Sequence, residues 1–226
     1  MPGGRLSSGE VSNILEVYDP RLDRWEQRAS LPFAVSAYAL AAFEGKLYLF
    51  GGWDGQNYLA STYDYDPVQD TWQTRSAMAT ARGFAGAAID GGKIYVIGGH
   101  DGKHALEVNE EYLPEQDNGQ DNPWTQRAPL PEGRYAMAVA SAADIIHVIG
   151  GKKETGVFLP PIEYFQQRNV WQPLDSPLTE PWAHLGVVSV GTRIYTLGGK
   201  LGGASTGQNL SYQAIYTIFI PVPISR

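Results

Sequence analysis

The chain has 226 residues, 43% hydrophobic and 12% aromatic, enough to bury a sizeable core. Its formal net charge of -7 argues against nucleic acid, whose phosphates reward clustered Lys and Arg, and points to partners that are neutral or carry basic patches. Without a single cysteine it has no disulfides, thiolate metal sites or cysteine nucleophiles, and no apolar run is long enough for a transmembrane helix. The N-terminus, Met1-Pro2-Gly3-Gly4-Arg5, lacks the basic start and apolar stretch of a signal peptide, so export is not supported and the compartment stays open.

Along the chain, glycine pairs recur at Gly3-Gly4, Gly51-Gly52, Gly98-Gly99, Gly150-Gly151 and Gly198-Gly199, at intervals of 48, 47, 52 and 48 residues. Such spacing means a repeated unit. The first unit offers two strands, about 13–18 and 24–28, joined by the turn Asp19-Pro20-Arg21-Leu22-Asp23 and carrying Tyr18 and Trp25. An apolar run at 46–50 then leads into Gly51-Gly52, followed by a strand closing at Tyr65, the turn Asp66-Pro67-Val68-Gln69-Asp70, and Trp72. The third unit repeats this order: a small-residue strand at 83–89, an apolar strand at 93–97, Gly98-Gly99, Tyr112 and Trp124. Here Trp follows Tyr by 12 residues instead of seven, and the five extra residues, in 114–123, account for the one long interval. Strands at 135–140 and 145–149, Gly150-Gly151, Tyr164 and Trp171 make the fourth. The last unit has strands at 184–190 and 193–197, Gly198-Gly199, and a strand-like run at 213–220 with no Trp after it.

The order of apolar strand, Gly-Gly, strand ending in Tyr, turn and Trp resembles the kelch repeat over essentially the whole chain. The resemblance implies an all-β fold, a β-propeller of the galactose-oxidase central-domain type, with four-stranded antiparallel blades around a channel. A lone four-stranded sheet can bury its aromatic residues only by stacking on a neighbour, and Gly-Gly fits where one backbone must approach another. The expected division is a partial blade at 1–30, blades at about 34–76, 82–127 and 134–173, and a terminal partial blade at 182–226. Two readings stay open at about four blades. Either the terminal strands share one blade and close a small ring, or the chain is the C-terminal part of a larger propeller, which the usual six blades of kelch propellers favour.

Function is sought where the copies disagree. Counting 16 residues back from each later glycine pair gives Val35, Arg82, Arg134 and Trp182, expected in the loop entering each blade. In related kelch domains arginines at this rim hold acidic peptide groups; Arg82 and Arg134 match, Val35 and Trp182 depart, and pairing with neighbouring acidic loops is the plainer alternative. The loops after the pairs also vary. Trp53-Asp54-Gly55-Gln56-Asn57-Tyr58 and His100-Asp101-Gly102-Lys103-His104 begin with a ring, whereas Lys152-Lys153-Glu154 and Lys200-Leu201-Gly202 do not. Trp53, Tyr58 and His100 therefore suit a peptide or sugar, although turn chemistry alone explains the Asp-Gly pairs. His147 stands where other copies carry Tyr48, Tyr95 and Tyr195 and is read as a core replacement; His184 is read as packed in a strand. His100 and His104 lack a clear third ligand, so no metal, cofactor or catalytic residue is assigned. The copper enzymes of this architecture need a cysteine, and the Glu, Asp and His triplet of iron-dependent kelch proteins is missing. The favoured reading is a module that binds a protein or peptide, with self-association if the propeller is open. A carbohydrate-active or carbohydrate-binding protein, such as a sialic-acid epimerase-like enzyme, is the alternative.

Overall fold

The computed structural model describes residues 1–214. Apart from one 3-10 turn, Pro114–Gln116, its regular structure is β. The first sheet holds β1 (Pro2–Arg5), β2 (Val11–Asp19) and β3 (Arg24–Arg28). Four-stranded meanders follow: β4 (Ala39–Phe43), β5 (Lys46–Trp53), β6 (Tyr58–Asp66) and β7 (Thr71–Arg75); then β8 (Gly86–Asp90), β9 (Lys93–Ile97), β10 (Asn109–Tyr112) and β11 (Trp124–Gln126); then β12 (Ala138–Ala142), β13 (Ile145–Ile149), β14 (Ile162–Phe165) and β15 (Val170–Pro173). Beyond them lie β16 (Trp182–Ala183), β17 (Gly186–Val190), β18 (Arg193–Leu197), β19 (Lys200–Leu201), β20 (Ala204–Ser205) and β21 (Asn209–Gln213). Strands β17, β18 and β21 form the last sheet, and β16, β19 and β20 form a small ribbon beside it.

The inner strands β4, β8, β12 and β17 touch in succession, so the sheets stand side by side like propeller blades. Two expectations change. The first unit has three strands, because Gly3-Gly4 itself lies in β1; the ladder to β2 continues past a register shift at the glycines, as β5 does at Gly51-Gly52. The third strand of the last sheet is Asn209–Gln213, and the expected run at 213–220 lies, beyond Ala214, outside the described residues. Among the described residues no strand pairing joins the first sheet to the last, so the shared blade of the closed-ring reading is not formed there.

The repeated residues act at the seams between sheets. The second glycine of each pair donates its N–H to the carbonyl at the position 16 residues before the next pair: Gly4 to Val35 (2.8 Å), Gly52 to Arg82 (2.9 Å), Gly99 to Arg134 (2.9 Å) and Gly151 to Trp182 (2.7 Å). The first glycine packs under that same carbonyl. A Cβ on Gly98 would lie 2.5 Å from the Arg134 oxygen, at φ +61°. This combination of close approach and left-handed backbone requires glycine.

Tyr and Trp strap the other end of each seam. The Tyr65, Tyr112 and Tyr164 hydroxyls donate to Asp70 (2.6 Å), Asp117 (2.6 Å) and Asn169 (2.7 Å) in the following turns. Those side chains accept backbone N–H groups of the preceding sheet, from Ala29, Ser76 and Ala128. The indole N–H groups of Trp72, Trp124 and Trp171 return to the Ala29, Ser76 and Ala128 carbonyls at 2.9, 2.8 and 2.9 Å. Each such bond is worth about 1 kcal/mol net, and each buried ring adds about 2–3 kcal/mol. Tyr18 and Trp25 occupy the same repeat positions in the first sheet but are 43% and 58% exposed.

Candidate binding face

Of the residues that follow the glycine pairs, Arg5 pairs with Val11 in the β1–β2 ladder, and Trp53, His100, Lys152 and Lys200 are placed by one device. Three of them bridge to the residue 17 before, as Trp53 to Ser36, His100 to Gly83 and Lys152 to Tyr135. Lys200 pairs with Ala183 through β19 and β16. The next residue in each blade, Ala37, Phe84, Ala136 or His184, has φ of +55° to +56°. Its backbone links the sheets, with Phe84 N–H donating to Ala37 O (2.6 Å), Ala136 N–H to Phe84 O (2.9 Å) and His184 N–H to Ala136 O (2.8 Å). This chain of bonds holds Trp53, His100, Lys152 and Lys200 on one face.

Across that face the rings touch from blade to blade. The Arg5 guanidinium lies 5.8 Å from the Trp53 ring. Tyr58 meets His100 at 5.9 Å, and His100 meets Tyr135 edge-on at 4.8 Å. Phe84 contacts both Tyr135 and His184 at 6.2 Å, and Lys152 caps the Tyr135 ring at 5.2 Å. His100 is held in place: its Nδ1 accepts the Gly102 N–H (2.9 Å), and its Nε2 lies 3.2 Å from the Glu154 carboxylate. Among the described residues no three His, Cys, Asp or Glu side chains cluster as metal ligands. No helix there is long and apolar enough to cross a membrane.

Thus Trp53, Tyr58 and His100 do share a face, but Arg82, Arg134 and Trp182 are elsewhere. These three are buried, with side chains turned into the seams. Arg82 pairs with Glu110 and donates to the Thr80 and Val96 carbonyls, at 3.2 and 3.1 Å. Arg134 donates to the Gly150 and Pro160 carbonyls, at 3.2 and 2.9 Å; burial lowers its pKa to about 10 against the attraction of Glu132. Trp182 donates to Gly198 O at 2.7 Å. The expected rim of arginines gives way to internal braces, because the seam uses the backbone of these residues and leaves their side chains room only inward. His184, expected to be packed in a strand, is exposed at a left-handed position.

Sequence reasoning passed over Phe84, Tyr135, Lys152 and Lys200. Lys152 and Lys200 share with Trp53 and His100 the slot directly after a glycine pair, and that slot was the available signal. The lysines surround His184, whose pKa is lowered by partial burial and then by the charges of Lys152 and Lys200.

Side-by-side four-stranded meanders, seamed by Gly-Gly, Tyr and Trp, define a kelch-repeat β-propeller fold. Residues 1–199 match the KLHDC2/KLHL20/DRC7 Kelch-repeats domain, and the chain belongs to that family. It is 36% identical to Kelch-like protein 24 of Rattus norvegicus over 231 aligned residues, covering 99% of this chain and 36% of that protein. Alpha-scruin of Limulus polyphemus is 42% identical over 50 residues, 22% of this chain and 5% of that protein. The chain therefore spans about a third of the length of Kelch-like protein 24 and a small part of alpha-scruin. Among solved structures, YjhT superposes with a TM-score of 0.76 at 16% identity, over 92% of this chain and 75% of that one, a likeness of fold.

Proposed function

We propose that this chain is a protein-interaction module that takes a partner polypeptide on the post-glycine face. The observation that carries the reading is the ring-to-ring path from Tyr58 through His100 and Tyr135 to Phe84, built from three sheets and only half-buried. Rigid, half-exposed aromatic side chains give large contact area for little loss of conformational freedom, a property of interaction hot spots. Membership of a family with Kelch-like proteins supports the same reading.

The test is site-specific photocross-linking. Benzoylphenylalanine placed at Trp53 or Tyr135 should cross-link a protein partner, whereas the same group at Val68, 92% exposed in a turn on another part of the sheet, should not. Equal yields at all three positions would remove the face from consideration.

A further inference from the structure

We infer that the outward face of the first sheet is a second docking surface, which takes a polypeptide segment of the form Ala or Ser, any residue, then Leu or Met, by the backbone of its small residue. It lies at the far end of the strands from the post-glycine face and does not depend on the module reading above.

The ligand is defined by three bound copies within the protein. In the second, third and fourth sheets the Tyr, turn and Trp positions together hold one residue of the loop that leaves the sheet before. Asp70, Asp117 and Asn169 accept its N–H, and Trp72, Trp124 and Trp171 donate to its carbonyl. The segments held are Ala29-Ser30-Leu31, Ser76-Ala77-Met78 and Ala128-Pro129-Leu130. Leu31, Met78 and Leu130 are buried in the apolar clusters that pack with those indoles. Both hydrogen bonds go to the main chain, so the first residue must carry an N–H and the third an apolar side chain.

The first sheet carries the same device already formed. The Tyr18 hydroxyl donates to Asp23 Oδ1 at 2.6 Å, as the other three do to Asp70, Asp117 and Asn169 at 2.6, 2.6 and 2.7 Å. Asp23 has φ +48°, beside +53° at Asp70 and +54° at Asn169. The Tyr18 and Trp25 rings lie 5.3 Å apart at 42°, close to the 5.0 Å and 38° of Tyr65 and Trp72. No rearrangement has to precede docking, which lowers its cost. Tyr18 and Trp25 are nevertheless exposed. Among the described residues the Trp25 indole N–H meets no acceptor, and Asp23 Oδ1 accepts only the Tyr18 hydroxyl. Ile14, on the same side of β2 as Tyr18, is also exposed and extends the apolar surface.

The probes are fluorescein-labelled Gln-Arg-Ala-Pro-Leu-Pro, the sequence of residues 126–131, and its counterpart N-methylated at the Ala nitrogen, read by fluorescence polarisation. The wild-type chain should bind the first about fivefold more tightly, the worth of one hydrogen bond. Trp25→Phe should weaken that binding about fivefold at an unchanged unfolding midpoint, and Asp23→Gly, which keeps the left-handed backbone but removes the acceptor, should do the same to affinity. Asp23→Asn, with the side chain that the fourth sheet uses, should keep it. Equal affinity for the two peptides, binding of neither, full binding by Trp25→Phe or its loss in Asp23→Asn overturns the inference. Ser176-Pro177-Leu178 has the same form, and among the described residues the Ser176 N–H and carbonyl have no partner, so a second copy is the rival occupant. Dimers in sedimentation velocity that Trp25→Phe abolishes, with no peptide bound, would give the face to that copy and overturn the inference as well. Cross-linking at Trp53 and Tyr135 reads the other face, so the two proposals fail separately.

Discussion

Replacing Gly98 by alanine should destabilise the protein by about 3–6 kcal/mol, whereas the same change at Gly198 should cost only about 1–2 kcal/mol. Both glycines open a Gly-Gly pair, at φ +61° and +60°, so the left-handed penalty of about 1–2 kcal/mol is common to them. Their neighbours differ. An added Cβ on Gly98 meets the Arg134 carbonyl at 2.5 Å and Met137 Cε at 2.6 Å; on Gly198 the nearest atom is Thr206 O at 3.7 Å. Relieving the clash moves the fourth sheet away and loosens the 2.9 Å bond from Gly99 N–H to Arg134 O, worth about 1 kcal/mol, on top of about 1–3 kcal/mol of overpacking. Urea unfolding followed by tryptophan fluorescence measures both. Gly92→Ala, at φ +75° with nothing within 4 Å, supplies the backbone-only reference. Equal losses at Gly98 and Gly198 would refute the seam as the reason for the pairs.

Trp124→Phe should cost about 1 kcal/mol through the lost bond to Ser76 O, while Trp25→Phe, 58% exposed, should stay within about 0.5 kcal/mol; similar midpoint shifts would contradict the strap. Glu110→Gln leaves the Arg82 guanidinium buried without its counter-charge and should cost about 3–5 kcal/mol in urea unfolding, and a neutral outcome would show the pair to be dispensable. His147 is buried, and burial lowers its pKa despite the nearby Glu163 carboxylate at 3.0 Å. The unfolded chain therefore binds the proton more readily, so the stability tied to this residue is complete above about pH 6.5 and is lost as the pH falls towards the lowered folded value. His147→Tyr, which restores the residue of the other blades, should flatten melting temperature against pH between about 7 and 5; an unchanged slope would place the acid sensitivity elsewhere.

The period of the glycine pairs and the Tyr and Trp positions were legible because each is a demand of backbone geometry or of large buried area, and these repeat with the blade. Gly198, Tyr18 and Trp25 show the limit: the motif is present, but among the described residues no neighbouring sheet packs on these positions, and no local pattern reports that. The ion clusters inside the sheets were present in the sequence but passed over. Asp64 is held by Lys46 (2.7 Å) and Arg75 (2.7 Å), and Glu111 by Lys93 (3.0 Å), Arg127 (2.7 Å) and the Tyr95 hydroxyl (2.7 Å). Burial pushes both carboxyls up, and their cations more than reverse it. The fourth sheet has Ile145, His147 and Leu174 in place of Lys, Tyr and Arg, so Glu163 faces a histidine alone of the three. Comparing these positions down the repeats would have revealed His147 as the odd member of a charged set.

Disagreement between copies is an incomplete guide to function, and the two variable positions of this chain show why. Val35, Arg82, Arg134 and Trp182 differ as much as any four residues could, yet each does the same work, accepting a glycine N–H on its carbonyl. Because the seam uses the main chain, the side chain is free to vary so long as it fills the space between blades. Arg5, Trp53, His100, Lys152 and Lys200 also differ, but their side chains reach the face, where variation changes the surface presented. Variation marks a binding position only when joined to exposure, and exposure here depends on which side of the Gly-Gly bulge a residue falls. The residue after the pair is turned outward by the bridge to the entering strand, while the residue 16 before the next pair is turned inward by the glycine it must cover. The glycine pair thus sorts each repeat into a constant inside and a variable outside.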